Sequence, residues 1–192
     1  MGIGHIKMFD KTISPFARPL LSKMATYAVK IGVSADAVSI LGFITGIVAA
    51  FLVGYGHFLL ALLFFSLNRI LDGLDGAIAR VKIPTHRGAF LDIVFDFIIY
   101  SSIPFAFAVF NDKNSFVACF IIFSFVGTGT SFLAYGILQE KISKKNKKPT
   151  GEKSFYYLSG LIEGSETIFF IILILLFPSL FFSIGIVFGC LC

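Results

Sequence analysis

The sequence predicts an all-α integral membrane protein, with six transmembrane helices and an N-terminal amphipathic helix lying on the membrane surface. Three observations carry this. Of the 192 residues, 57% are hydrophobic, 25 are phenylalanine and only 14% are charged, whereas a soluble domain carries about a quarter charged residues. The apolar residues fall into windows of membrane-spanning size separated by polar connections. The basic residues concentrate in alternate connections.

The first 30 residues hold no early apolar run of the kind that marks a cleaved leader. They place Ile6, Phe9, Ile13, Phe16, Leu20, Leu21 and Met24 at roughly helical spacing among Lys7, Lys11, Arg18 and Lys23, the pattern of a helix lying in the interface. Residues 1–32 are therefore expected to form a juxtamembrane segment, and residues 33–192 one membrane domain. Its spans are expected near 37–54, 57–75, 89–110, 115–138, 155–177 and 179–192. The last is short for a hydrocarbon layer of about 30 Å, so a truncated sixth helix is expected.

Orientation follows from the positive-inside rule. Lys7, Lys11, Arg18, Lys23 and Lys30 precede the first span; Arg69, Arg80, Lys82 and Arg87 cluster around the second connection; Lys141, Lys144, Lys145, Lys147, Lys148 and Lys153 fill the fourth. Only Lys113 falls on the other side. Both termini and the basic connections are thus expected in the cytoplasm. The net charge of +5 reads as topology and attraction to anionic membrane lipids, and no nucleic-acid partner is expected. Cys119, Cys190 and Cys192 lie in apolar segments without CxxC spacing, so neither a disulfide nor a zinc site is expected. Glycine pairs at Gly42/Gly46 and Gly160/Gly164 permit close helix approach; ordinary packing is their commoner use, and a homodimer is the other.

Against this apolar background stand Asp72, Asp75, Asp92 and Asp96. Each ionised aspartate at the centre of a membrane helix costs about 2.5–3.5 kcal/mol on insertion scales, so the group needs compensation. On a helix, Asp72, Asp75, Gly76, Ala79 and Arg80 share an arc of about 140°. Gly88, Asp92 and Asp96 follow at intervals of four on the next helix, and a hairpin would bring the two acidic faces together. Converging carboxylates are hard oxygen ligands suited to Mg²⁺, Mn²⁺ or Ca²⁺. Gly76 and Ala79 offer a floor without bulky side chains, and Arg80 a partner for phosphate oxygens. A phosphorylated ligand fits such a site. An ion or substrate pathway is the alternative, since transporters also keep carboxylates within the membrane.

The run Asp72-x2-Asp75-Gly76-x2-Ala79-Arg80-x7-Gly88-x3-Asp92-x3-Asp96 resembles the signature of the CDP-alcohol phosphatidyltransferases. The preceding Val33-Ser-Ala-Asp36-Ala-Val-Ser39 is similar to a drifted form of the family's TPNxLT-like segment before the first helix, and the seven-residue spacer before Gly88 is one shorter than the commonest form. The resemblance implies a bacterial inner-membrane enzyme of phospholipid biosynthesis, with its active site facing the cytoplasm. It would transfer a phosphatidyl group from CDP-diacylglycerol to an acceptor alcohol and release CMP, using Mg²⁺ or Mn²⁺. It also implies residue roles: Asp72, Asp75, Asp92 and Asp96 as metal ligands, Asp96 as general base, and Gly76, Ala79, Arg80 and Gly88 as contacts to the CDP phosphates. Transport by intramembrane carboxylates remains the alternative.

Glu163 and Glu166 are three residues apart on the candidate fifth helix. They form either an acceptor-alcohol pocket or an interfacial packing pair. The acceptor is not specified by any residue pattern.

Overall fold

The computed structural model describes residues 10–146 and 164–192. Among these residues seven α-helices follow one another: α1 (Asp10–Lys30), α2 (Ala35–Gly54), α3 (Phe58–Val81), α4 (His86–Phe110), α5 (Ser115–Asn146), α6 (Gly164–Leu176) and α7 (Phe181–Leu191). No strand occurs among the described residues.

Local chemistry sets the boundaries. Ser34 begins α2, its hydroxyl accepting from the Ala37 amide at 3.2 Å, and Thr85 caps α4 in the same way through the Gly88 amide at 3.0 Å. Each cap satisfies an amide that the first helical turn leaves unpaired. The turn from α2 to α3 passes through Gly56 at φ +79°, a left-handed conformation that glycine adopts without steric cost.

Among the described residues, three helices are long and apolar enough to cross a membrane: Ala35–Gly54, His86–Phe110 and the Asp112–Leu138 stretch. Gly164–Leu176 and Pro178–Leu191 reach that standard only together, and they are bent by 113° at their junction. Against the six spans expected from the sequence, the described residues hold three that meet this standard, or four if the bent pair counts as one. The reasons are local. With 24 residues α3 is long enough, but Arg69, Asp72, Asp75 and Arg80 interrupt its second half. Within the described residues α6 has 13 residues and α7 has 11, a rise of about 20 Å and 17 Å, and the first part of the expected 155–177 span lies outside the described residues.

Two cores hold the bundle. The larger joins α2, α3, α4, α5, α6 and α7 through Val53, Phe65, Ile103, Phe107, Ile121, Phe170, Ile174, Phe181 and Phe188. Phenylalanine rings provide its geometry: Phe107 stacks on Phe181 with centroids 4.2 Å apart, and Phe170 on Phe188 at 3.8 Å. Lipid tails are as apolar as these side chains, so close packing rather than water exclusion holds such contacts together. Where α7 meets α5, the contact is shaped by Gly185, since a Cβ there would overlap Val117 Cγ1 and lie 2.9 Å from Ile121 Cδ1.

The smaller core, Ala25, Ala28, Val38, Ala77 and Ile78, seats α1 against α2 and α3. Leu20 and Tyr27 on α1, and Ile31 just after it, stay exposed. Outside both cores, large apolar side chains such as Phe51, Leu59, Phe105, Phe116 and Phe123 are exposed around the bundle, as expected of surfaces that meet lipid.

Candidate active site

The α3–α4 hairpin brings the acidic faces together. Asp72 and Asp75 stand near the end of α3, and Asp92 one to two turns into α4. One carboxylate oxygen from each of the three lies within 4.8 Å of the others, close to the ~4–5 Å separation of oxygens on opposite sides of a hard divalent cation. Their burial is graded: Asp75 is 6% exposed, Asp72 half-buried and Asp92 exposed. The opening therefore lies on the Asp92 side. A site made only of carboxylate oxygens suits Mg²⁺ or Mn²⁺ better than a soft metal.

Asp75 owes its orientation to α2. The Ser39 hydroxyl, 9% exposed, donates to Asp75 Oδ2, leaving Asp75 Oδ1 for another partner. Ser39, Gly42, Asn68, Arg69, Asp72, Asp75, Asp92 and Asp96 line one small cavity with Phe43, Phe95 and Ile99. All of these residues come from α2, α3 and α4.

Asp96 shares this cavity but stands apart from the group of three. Its Oδ1 accepts from Arg69 Nη2 at 2.8 Å, and its Oδ2 from the Tyr100 hydroxyl at 3.3 Å. Arg69 Nη1 also lies 3.7 Å from Asp72. One arginine thus faces acids of both helices, supplying part of the compensation that buried acids require.

The remaining expected residues, Gly76, Ala79, Arg80 and Gly88, are not among those lining the cavity. Arg80 is exposed in the last turn of α3; a Cβ on Gly76 would meet its Nη1 at 3.4 Å, so the absent side chain gives the guanidinium room. Ala79 is half-buried. The Gly88 amide is engaged by the Thr85 cap, and a Cβ on Gly88 would come 3.2 Å from Thr85 Oγ1 and 3.9 Å from Asp36 Oδ1. Asp36, in the first turn of α2, pairs with Arg87 Nε at 3.2 Å, and Lys82 Nζ donates to the Val33 carbonyl at 3.3 Å. These two bonds tie the α3–α4 connection to the start of α2.

Glu166 lies in the first turn of α6 and accepts from the Ser165 hydroxyl at 3.0 Å; it is not among the residues lining the carboxylate cavity. Glu163 lies outside the described residues. Ser39 and Tyr100 are the site neighbours that sequence reasoning did not place. Asn68 and Arg69, just before the motif on α3, are by sequence either residues that orient it or packing behind it, and the structure sets Arg69 against Asp72 and Asp96.

Comparison with known proteins gives the same direction. The chain is 41% identical over 186 residues to the inner membrane protein YnjF of Escherichia coli (strain K12), covering 96% of this chain and 90% of that protein. Its fold is similar to that of Mycobacterium tuberculosis phosphatidylinositol phosphate synthase (PgsA1), solved with CDP-DAG bound: the TM-score is 0.60 and the identity 19%, over 87% of this chain and 84% of the other. A family sequence model described as CDP-alcohol phosphatidyltransferase matches residues 33–191. A helical membrane protein with acids converging from two adjacent helices, matched along nearly its whole length by that model, belongs to the CDP-alcohol phosphatidyltransferase family and is a transferase of that class.

Proposed function

We propose that the protein transfers the phosphatidyl group of CDP-diacylglycerol to an acceptor alcohol in phospholipid biosynthesis, releasing CMP. The observation that carries this reading is the convergence of Asp72, Asp75 and Asp92 within 4.8 Å of one another, in a chain matched to the family over residues 33–191. A carboxylate-lined ion pathway is less well supported, because the cavity is small and draws on α2, α3 and α4 alone.

Asp72, Asp75 and Asp92 would hold Mg²⁺ or Mn²⁺; when bound, the cation supplies charge neutralisation at the pyrophosphate and at the departing phosphate. Arg80, exposed in the last turn of α3 with Gly76 against its guanidinium, is assigned with Gly76, Ala79 and Gly88 to the phosphates of the CDP moiety. In the reaction, the acceptor oxygen forms a bond to the phosphorus that carries diacylglycerol. The bond from that phosphorus to the CMP oxygen breaks, and CMP leaves with the electron pair. The acceptor's proton passes to Asp96. The sequence suggested both ligand and base for Asp96; its Arg69-paired carboxylate, apart from the other three acids, favours the base.

Residues 33–192 are read as the catalytic membrane domain and residues 1–32 as a segment on the membrane surface, with the exposed Leu20, Tyr27 and Ile31 in the lipid interface. In this reading α3 crosses packed against α2, α1 and α6, with its acids turned inward. The 113° bend between the last two helical segments is compatible with two short crossings, which would restore six. The basic connection after α3 supports a site at the cytoplasmic face of a bacterial inner membrane. Glu166, with Glu163, is assigned to the acceptor pocket. A homodimer is compatible with the exposed apolar faces of the bundle.

The test is direct. Purified protein in detergent is given CDP-diacylglycerol, Mg²⁺ or Mn²⁺, and in turn glycerol 3-phosphate, inositol phosphate, serine, choline and a phospholipid, while CMP is followed. Metal-dependent CMP release with at least one acceptor is expected. Release with none of them, or release indifferent to chelation, would overturn the proposal.

A further inference from the structure

Arg69 is held more tightly than a counter-ion requires. Its side chain is 11% exposed, and three of its nitrogens have separate partners on two helices. Nε donates to Asn68 Oδ1 at 2.7 Å, Nη1 to the Tyr100 hydroxyl at 2.8 Å and Nη2 to Asp96 Oδ1 at 2.8 Å. Its guanidinium carbon also lies 5.1 Å from the centre of the Tyr100 ring and 5.6 Å from that of Phe65, within the range of cation–π attraction.

The support extends to a third helix. Asn68 is 2% exposed and donates through Nδ2 to the Gly42 carbonyl of α2 at 2.9 Å. With its amide nitrogen committed to Gly42, Asn68 presents its oxygen to Arg69, which fixes the guanidinium plane. The planar fork then grips Asp96 in one direction only. Tyr100, four residues after Asp96 on α4, closes the circuit by accepting from Arg69 and donating to Asp96 Oδ2 at 3.3 Å. Each carboxylate oxygen has two acceptor positions. The short Arg69 bond anchors Oδ1, and the longer Tyr100 contact leaves Oδ2 the oxygen with room for a further partner.

We propose that Arg69, braced by Asn68 and Tyr100, is a positioning residue that fixes the Asp96 carboxylate so that Oδ2 meets the acceptor hydroxyl. This rests on the phosphatidyltransferase reading above. It separates Arg69 from a simple neutraliser of the acids. A neutraliser could be any cation near Asp72 and Asp96, whereas a positioning residue needs the fork.

The experiment compares wild type, Arg69→Met, Arg69→Lys and Tyr100→Phe in detergent, each checked for fold by size exclusion and thermal melting. Steady-state CMP release is measured with CDP-diacylglycerol and the acceptor that wild type uses, and Mn²⁺ binding is measured by titration without substrate. Arg69→Met is expected to lower kcat about 100-fold, the cost of a misplaced reacting group, with the KM for CDP-diacylglycerol changed less than about threefold. Its Mn²⁺ affinity is expected to be retained or increased, since a positive charge beside Asp72 is lost. Arg69→Lys keeps the charge without the fork and is expected to recover less than about a tenth of wild-type kcat. Tyr100→Phe is expected to lower kcat about tenfold, the effect of one lost hydrogen bond, and decides the matter if Arg69→Met does not fold.

Unchanged kcat in the folded variants overturns the proposal, as does full rescue by lysine. Mn²⁺ affinity falling in step with kcat overturns it as well, because Arg69 would then be shaping the metal site. If wild type itself releases no CMP with any acceptor, the functional reading fails and this inference falls with it. If wild type turns over and the variants match it, only the inference falls.

Discussion

The Ser39 hydroxyl on α2 donates to Asp75 Oδ2 on α3, so the most buried carboxylate of the site is oriented by a helix that bears no acid of the cluster. The pairing matters because Asp75 is 6% exposed, and a buried carboxylate without a donor would be costly to keep charged. It also leaves one oxygen of Asp75 for a cation.

Asp72→Asn and Asp75→Asn are each expected to reduce metal-dependent CMP release at least about 100-fold, because an amide supplies a neutral oxygen where a hard ion needs charge. Ser39→Ala should reduce it about tenfold, the cost of one hydrogen bond to a charged group. Turnover assays over a Mn²⁺ series, with melting curves to confirm folding, check all three. Full activity in both aspartate variants would remove the metal assignment.

Asp96→Asn is expected to separate binding from chemistry. An amide cannot take up the acceptor's proton, so turnover should be lost while CDP-diacylglycerol still binds in the presence of Mn²⁺. Equilibrium binding of CDP-diacylglycerol alongside CMP release is the measurement. Binding that falls as far as turnover would make Asp96 a metal ligand like its neighbours.

The cytoplasmic placement can be probed in the α3–α4 connection. Thr85 is a poor position, because its hydroxyl caps α4, and losing a cap costs about 1 kcal/mol. Ile83 is 85% exposed and better suited. In a variant whose three native cysteines are replaced, Ile83→Cys should react with a membrane-impermeant thiol reagent in inverted vesicles and not in intact cells. The reverse pattern would invert the orientation.

Gly185→Ala is expected to destabilise the protein by about 1–3 kcal/mol, the usual cost of overpacking a close contact. The added methyl group meets Val117 and Ile121 on α5, and Val117 is β-branched and cannot swing away. A lower melting temperature in detergent is the readout, with kcat per folded molecule little changed. Equal stability would mean that α7 is free to shift.

Glu166→Gln should raise the acceptor KM several-fold, about 1 kcal/mol for one weakened polar contact, and leave the KM for CDP-diacylglycerol unchanged. Substrate-saturation curves in each direction check this. If neither constant moves, the acid serves only the start of α6, where it accepts from Ser165.

The approach of Asp72, Asp75 and Asp92 was legible in the sequence because it depends on two local rules. Helical periodicity puts acids three or four residues apart on one face, and a short connection folds the next helix back. The pairing of Asp96 with Arg69 was not, since the choice among nearby acids depends on helix rotation and on Asn68 reaching α2. The α2, α4 and α5 spans were found by hydropathy because each keeps a long apolar window with few charges. Elsewhere that signal is weaker. In α3 the functional charges interrupt it, and the junction around Pro178 breaks one apolar stretch into two short pieces.

Gly46 shows how far the constraint on the site reaches. It touches no acid and carries no chemistry, yet a methyl group there would press on Ile99 Cδ1 at 2.6 Å and stand 3.2 Å from Asn68 Nδ2. Asn68 in turn steadies Arg69. In a survey of random variants, position 46 would therefore score beside the aspartates, and its intolerance would be misread if sensitivity were equated with substrate contact. Natural variation in such a protein is limited by the scaffold one helix away as well as by the residues that meet the lipid.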